Sequence, residues 1–361
     1  MDKNLAPSRR QALVGGALTV GLWAAPSILT IDTVAAGSVD PNPPPVPTSL
    51  HFEKLGCVPR AVAQSTAWGK SLQGLIWHDG RLWGGYGDWN ANTGPIYPWS
   101  WSPSEGIRDS GFASQNECIA LFRSIQGKLF FPYTDPKPSD GFVGKLSGST
   151  WTAHQLTDVY HVFDIAEHKP TGHIIVVGGG SPETPERAMN WRSTDGGQTF
   201  TETFGYGNPT RIANGGRSYY ITQTPDGNLV MGSAPNRQWI YNGVAPWVQV
   251  PDRTYPITNQ WSRVDYIGGR YVQHYFTTGC SMTTLVINGD PSRSANCSTV
   301  TPDGAVWYFA GARLKRFTVS NVETEITHDF AGCPMSMAVG PDGTVYVGDT
   351  TGCLWRGSYS K

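Results

Sequence analysis

Asp79-Gly80-Arg81-Leu82-Trp83, Asp226-Gly227-Asn228-Leu229-Val230, Asp303-Gly304-Ala305-Val306-Trp307 and Asp342-Gly343-Thr344-Val345-Tyr346 are copies of one short pattern. A glycine turn leads into a polar or small residue and then an apolar pair. Looser copies are Gln126-Gly127-Lys128-Leu129-Phe130, Thr171-Gly172-His173-Ile174-Ile175 and Gly268-Gly269-Arg270-Tyr271-Val272. Glycine accepts the positive φ of a tight turn, and the apolar pair favours a strand. The turn glycines stand 47, 45, 55, 42, 35 and 39 residues apart. A period of about 40–50 residues is that of a four-stranded propeller blade. The pattern predicts an all-β chain, a β-propeller of four-stranded blades and seven-bladed, over residues 49–361. Closure of such a ring commonly borrows a strand from the opposite terminus, which predicts that Leu50 to Phe52 pair beside the final strands.

The 361 residues carry a formal net charge of −1, and 15% of them are charged, against roughly 25% in average soluble domains. No strong field draws in nucleic acid or an acidic membrane. Basic patches interleaved with aromatics are missing as well, which excludes the usual nucleic-acid surface. Fourteen Trp and 15 Tyr serve packing between sheets. Where exposed, such rings also offer faces on which sugar C–H groups stack.

Residues 1–36 read as a targeting segment. Ser8-Arg9-Arg10-Gln11-Ala12-Leu13 precedes an apolar stretch from about Val14 to Ile31, and Val34-Ala35-Ala36 offers small residues for cleavage. The segment resembles a bacterial twin-arginine export signal, with Arg9-Arg10 as the pair. That resemblance implies a periplasmic, cell-surface or secreted protein without a stable transmembrane segment after cleavage. Asp40-Pro41-Asn42-Pro43-Pro44-Pro45-Val46-Pro47 reads as a polyproline spacer, so residues 37–48 form a linker. All six cysteines, Cys57, Cys118, Cys280, Cys297, Cys333 and Cys353, follow it and are disulfide candidates in an oxidising compartment. Closeness in sequence favours Cys280 with Cys297 and Cys333 with Cys353, leaving Cys57 with Cys118; six cysteines allow fifteen connectivities.

Ser193-Thr194-Asp195-Gly196-Gly197-Gln198-Thr199-Phe200 fits the pattern Ser-x-Asp-x-Gly-x-Thr-aromatic at every defined position. The stretch resembles the Asp-box, or BNR, repeat of sialidase-like propellers in the broad sense. That group also contains other propeller glycosidases, sorting receptors and photosystem assembly factors. The resemblance implies a structural hairpin at a blade's periphery, built by Ser193, Asp195, Gly197, Thr199 and Phe200. Sialidases proper carry an Arg-Ile-Pro motif before the first box. Arg211-Ile212-Ala213 follows the box here and lacks the proline, which points away from a classical sialidase.

Residues just before a blade's first strand and just after its second emerge together, on the face opposite the glycine turns. That rule gathers Asp88, Asn90, Asn92, Glu117, Asp135, His161, Asp164, Arg217, Trp261, His274 and Asp349 around one axial mouth, where propeller ligands bind. Two functions follow. In one, the mouth is a glycoside hydrolase or lyase site with Glu117 and Asp164 as acid and base, about 5–9.5 Å apart, and His161 assisting. In the other, it is a non-catalytic module for a glycan, another polar ligand or a protein. Asp88, Trp89, Asn90, Asn92, Arg217, Trp261 and His274 are the ligand-binding candidates. Asp88, Asn90 and Asn92 alternate as Ca²⁺ loops do, yet the same side chains also stabilise turns unaided. No zinc spacing, Gly-x-Ser-x-Gly elbow, phosphate loop or His-Glu-x-x-His motif is present, so neither a cofactor nor a resident metal is expected. His154, His168, His173 and His328 are expected to face solvent.

If Arg9-Arg10 directs export of the folded protein, replacing both by Lys should hold the precursor in the cytoplasm; fractionation showing undiminished export rejects that route.

Overall fold

The structure is a computed structural model. It describes residues 48–135, 141–157, 159–180, 188–206, 217–233, 237–244, 246–276 and 279–359. Residues 1–47, read above as an export segment and most of the linker, and Arg211-Ile212-Ala213 lie outside the described residues.

The first four-stranded sheet runs Gln73–His78, Arg81–Gly85, Trp99–Ser102 and Gly106–Asp109; the second runs Arg123–Ile125, Lys128–Pro132, Phe142–Ser147 and Thr150–Gln155. The third comprises His161–His168, His173–Gly179, Ala188–Ser193 and Thr201–Tyr206. Ile221–Gln223, Leu229–Ser233, Arg237–Tyr241 and Val248–Val250 make the fourth. The fifth comprises Ser262–Ile267, Arg270–Tyr275, Thr283–Ile287 and Asp290–Ala295. Each is an antiparallel meander in chain order, as in a β-propeller blade.

The repeated motif is the turn between the first and second strands. Its seven glycines have φ between 68° and 83°, where a side chain would cost conformational energy. The apolar pair after each turn is buried on both faces: Leu82 and Trp83, Leu129 and Phe130, Ile174 and Ile175 are all less than a tenth exposed. Alternate residues point to opposite faces of a strand, so burial of both means that each sheet is packed between two others. The core clusters bear this out. One joins Ile125 and Phe130 of the second sheet to Ile174 and Trp191 of the third, and another joins Ile175 to Ile221 and Trp247 of the fourth.

The remaining strands form one eight-stranded sheet, and the ring closes within it. Its order is Cys297–Val300, Val306–Ala310, Arg313–Phe317, Glu323–His328, Ser49–Cys57, Cys353–Tyr359, Val345–Asp349, Pro334–Val339. Five separate four-stranded sheets therefore stand where seven separate blades were expected. The cause is a short parallel pairing, Ser49 with Thr327 and Leu50 with His328, which joins the N-terminal strand to Glu323–His328. The same N-terminal strand pairs antiparallel with the C-terminal one from Leu50–Tyr359 to Cys57–Cys353. Leu50 to Phe52 thus lie where closure requires them. Phe52 anchors the seam against Phe330, ring centroids 5.4 Å apart.

The cysteine pairing differs from the one expected by sequence closeness. Cys57 bonds Cys353 and Cys280 bonds Cys333, while Cys118 and Cys297 are buried free thiols. Ring closure makes residues 296 apart in sequence direct neighbours on adjacent strands. Cys118, by contrast, faces Gln73, whose side-chain oxygen accepts from its Sγ at 3.2 Å. Burial pushes both free thiols well above the usual thiol range, so they stay protonated and inert.

Closing so long a loop constrains the unfolded chain more than any local bridge. Cys57→Ser with Cys353→Ser should cost about 2–5 kcal/mol, read by urea unfolding of the oxidised proteins; equal midpoints would show that strand pairing alone closes the ring.

Candidate functional site

The face opposite the glycine turns is assembled as the strand order predicts. Gln73 pairs with Gly85, His161 with Gly179 and Ser262 with Tyr275, so starts of inner strands lie beside ends of second strands. A bridge between Gly87 and Cys118 ties the loop of the first sheet to the segment leading into the second.

The loop from Gly87 to Gly94 is built by Asp88. One carboxylate oxygen accepts from the backbone N–H groups of Asn90 and Ala91 at 3.0 and 3.1 Å; the other accepts from the Thr66 hydroxyl at 2.7 Å. Asp88 is buried, and its oxygens are engaged in forming the turn. Asn90 and Asn92 are exposed at the tip. With its amide nitrogen toward Glu117, Asn92 donates to both carboxylate oxygens, at 2.8 and 2.6 Å. Glu117 itself is only 2% exposed. Among the described residues, no group of three or more His, Cys, Asp or Glu is placed to hold a metal ion.

Aromatic rings cross the mouth. Trp89, on this loop, meets Trp68 at 3.6 Å between centroids and Trp261 at 4.1 Å, both edge to face. Trp261 immediately precedes the fifth sheet, which is not a neighbour of the first, so the Trp89–Trp261 contact spans the opening. Trp261 continues to Phe276 at 5.0 Å and Phe163 at 6.3 Å; Phe163 meets Tyr219 at 4.7 Å and stacks on His161 at 5.7 Å. The Arg217 guanidinium stands 6.0 Å over Phe163. Trp89, Trp261, Phe276 and Tyr219 are each partly exposed. His161 Nδ1 lies 2.7 Å from the Thr134 carbonyl oxygen and 3.7 Å from Asp135 Oδ1. Beside it, burial raises the Tyr160 hydroxyl pKa, and the charges of Asp135 and Glu117 raise it further. Trp68, Phe163, Tyr160, Tyr219 and Phe276 were not singled out in the sequence. Tyr160 and Phe163, next to His161 and Asp164, had a positional signal.

Asp164 lies deeper. A bulge between Val162 and Asp164 shifts the strand register, leaving His161 at the rim and turning Asp164 into the axis, fully buried. There Arg123 grips it with two hydrogen bonds of 2.9 Å, and also donates to Asp265 and, at 2.9 Å, to the Val264 carbonyl. Asp164 accepts as well from the backbone N–H of Ile165 at 2.8 Å and of Ile221 at 3.3 Å. Burial opposes the guanidinium charge, but Asp164 and Asp265 outweigh it and hold Arg123 firmly protonated. This network ties the second, third, fourth and fifth sheets together across the axis. Both carboxylates are thus buried and engaged, Asp164 by Arg123 and Glu117 by Asn92.

His274 lines a half-open recess of about 60 Å³, far below the roughly 300–1,000 Å³ of a small-molecule pocket. Its Nε2 lies 3.2 Å from both the Ala295 carbonyl and the Thr283 hydroxyl. Asp349 is engaged in the last sheet, accepting from Trp355 Nε1 at 2.8 Å and Cys353 N at 3.0 Å. His168, expected at the surface, is fully buried because its ring is drawn to Thr171 at 2.7 Å, with Asn228 at 3.4 Å.

The Ser193–Phe200 turn is a hairpin of the third sheet, away from this mouth. Asp195 accepts from the backbone N–H groups of Gln198 and Thr199 at 2.9 and 3.0 Å, and Ser193 Oγ accepts from Gly197 N at 2.8 Å. Lys128 and Lys145 of the second sheet donate to the Gly196 and Gly197 carbonyls, each at 2.8 Å. The hairpin is thus buckled to its neighbour, and Phe200 packs on the shared core.

No protein-family model and no curated protein matches the sequence. The fold is similar to that of solved lyases. A streptogramin B lyase is 16% identical with a TM-score of 0.53, over 86% of this chain and 98% of that one. Virginiamycin B lyase from Staphylococcus aureus is 12% identical with a TM-score of 0.55, over 86% of this chain and 99% of that one. Likeness at such identity establishes the propeller fold alone. Among the described residues, no helix is long and apolar enough to cross a membrane.

Burial lowers the His274 pKa from 6.5 to about 4. The unfolded chain therefore binds this proton first as pH falls. Its stabilising share is complete above about pH 6.5 and is lost between there and pH 4, at most about 3.5 kcal/mol at ~1.4 kcal/mol per unit. His274→Gln should flatten unfolding free energy against pH in that window, and an unaltered slope would show that the imidazole is not desolvated.

Proposed function

We propose that the protein is an exported propeller whose axial mouth binds a glycan without cleaving it. The aromatic wall from Trp68 through Trp89 to Trp261 carries this reading. Partly exposed rings provide flat apolar faces for sugar C–H groups, and polar groups beside them engage hydroxyls. Arg217, His161 and the exposed amide of Asn90 border that wall, with Asn92 held on the buried Glu117, Asp88 holding the loop, and His274 and Asp164 supporting it from within. The recess beside His274 is open and too small to enclose a ligand, which favours a shallow platform. Two disulfides in the structure and the apolar segment after Arg9-Arg10 support a location outside the cytoplasm. The Ser193–Phe200 hairpin supports placing the chain among Asp-box propellers. Counting the two four-strand groups of the eight-stranded sheet as blades gives seven.

A second reading is acid–base cleavage, a hydrolase or lyase reaction at the same mouth. The approach of His161 to Asp135, with Glu117 and Tyr160 alongside, favours it. His161 and Glu117 would then exchange protons with the substrate. Asp164 would act only through Arg123, as a positioning residue.

Purified protein on a glycan microarray should retain at least one glycan, and Trp89→Ala with Trp261→Ala should weaken that binding about tenfold or more, which is about 1.4 kcal/mol. Mass spectrometry of the same glycans separates the two readings. Fragments made by wild type and lost in Glu117→Gln or His161→Ala establish the enzyme. Neither retention nor fragments rejects both and directs attention to a protein partner.

A further inference from the structure

The two disulfides differ in their surroundings. Cys57 and Cys353 stand opposite each other in paired strands, and Cys353 is only 3% exposed. Cys280 is exposed and Cys333 partly so. Cys280 follows the second strand of the fifth sheet and Cys333 precedes Pro334–Val339, so both sit in loops on the face of the axial mouth. An exposed disulfide is open to attack by a thiolate, whereas one enclosed in strand pairing is shielded. Cys280 and Cys333 are 53 residues apart, and the strands from Cys297–Val300 to Glu323–His328 lie between them in sequence. The bond therefore ties the fifth sheet to Pro334–Val339 past a whole four-strand group.

Its place bears on the aromatic wall of the mouth. Three residues separate Cys280 from Phe276. The Phe276 ring packs on Trp261 at 5.0 Å, and its backbone N–H donates to the Trp261 carbonyl at 3.2 Å. On the other side, the Asn296 side chain donates to the Cys280 carbonyl at 2.8 Å. The Thr350 N–H donates to the Cys333 carbonyl at 3.2 Å. Phe276, Asn296 and Met335 all line the recess beside His274. Short segments thus connect the bond to both the wall and the recess.

We propose that the Cys280–Cys333 bond is a redox-sensitive clasp, which holds the Phe276 side of the wall in its glycan-binding arrangement. This role rests on the glycan reading of the mouth. The reductant is a dithiol. One of its thiolates attacks Cys280 Sγ, the bond between the two cysteines breaks, and Cys333 leaves as a thiolate that takes up a proton. The second thiolate of the reductant then attacks its partner sulfur in the mixed disulfide and releases Cys280, which is protonated in turn. The dithiol gives up two electrons and becomes a disulfide, while Cys280 and Cys333 become thiols. Cys118 and Cys297 take no part, because burial keeps their thiols protonated. Opening the clasp frees the segment after Phe276, and ordering it again on binding costs affinity.

The folded protein is titrated with dithiothreitol, alkylated without denaturant and mapped by mass spectrometry. Cys280 and Cys333 should be labelled while Cys57 and Cys353 stay bonded; opening of Cys57–Cys353 at the same dose or earlier overturns the proposal. At the dose that opens only the clasp, affinity for a glycan selected on the microarray should fall about fivefold or more. Reoxidation with oxidised glutathione should restore it. Cys280→Ser with Cys333→Ser should bind as weakly as the reduced protein and no longer respond to reductant. Unchanged affinity after selective reduction overturns the clasp and leaves the glycan reading standing. Hydrogen exchange needs no glycan: the Phe276 amide should exchange faster once the bond is open. If neither form retains a glycan, faster exchange sustains a clasp on the mouth and rejects its glycan ligand, whereas equal exchange overturns the clasp as well.

Discussion

Pairing between Ser49–Cys57 and Cys353–Tyr359 is the constraint on which the other features depend. A sheet stack that does not close leaves two open faces and two rows of unpaired backbone groups. Here the first folded residues supply the outermost strand beside the last, and the Cys57–Cys353 bond fixes them. Once the ring is closed, every sheet has a neighbour on both faces. The apolar pairs after the glycine turns can then be buried on both sides. The same closure makes nonadjacent sheets face each other across an axis, which gives the protein a place for a site.

That axis poses its own problem, because inner strands bring polar groups into a space poor in water. Arg123 answers it by joining Asp164 and Asp265 from facing strands while their remaining oxygens take backbone and arginine donors. A charge pair of this kind adds little net stability when compared with apolar packing, but losing one partner is costly because the other is stranded. The network therefore fixes how the sheets stand around the axis. The rim above it is free to carry ligand-facing groups. Asp88 shapes a loop that presents Trp89, and Trp261 meets it from the far side.

At the mouth, large side chains from distant sheets converge: Trp89 from the loop of the first sheet meets Trp261 at the entry to the fifth.

The glycine turns and the period between them were legible because they are local: a positive φ and an alternating apolar pair are properties of five consecutive residues. The same holds for the Ser193–Phe200 hairpin, whose internal side-chain hydrogen bonds span at most four residues. Placing Asp88, Glu117, His161 and Trp261 on one face also followed from strand order. What the sequence could not supply was set by contacts between distant segments. Closeness in sequence predicted the wrong cysteine pairs because ring closure, not chain proximity, decides which residues meet. The bulge after Val162 sent Asp164 inward while His161 stayed at the rim, and its cause is the fit of that strand to its neighbours. Trp68 joined the site by packing on Trp89, Phe276 by packing on Trp261 at the end of its own hairpin, and Phe163 by meeting Trp261 from another sheet. The sequence by itself determined the repeating element and the side on which its loops emerge. Tertiary structure alone decided which side chains share the mouth and which are consumed by the axial ion network, because each depends on segments that only ring closure brings into contact.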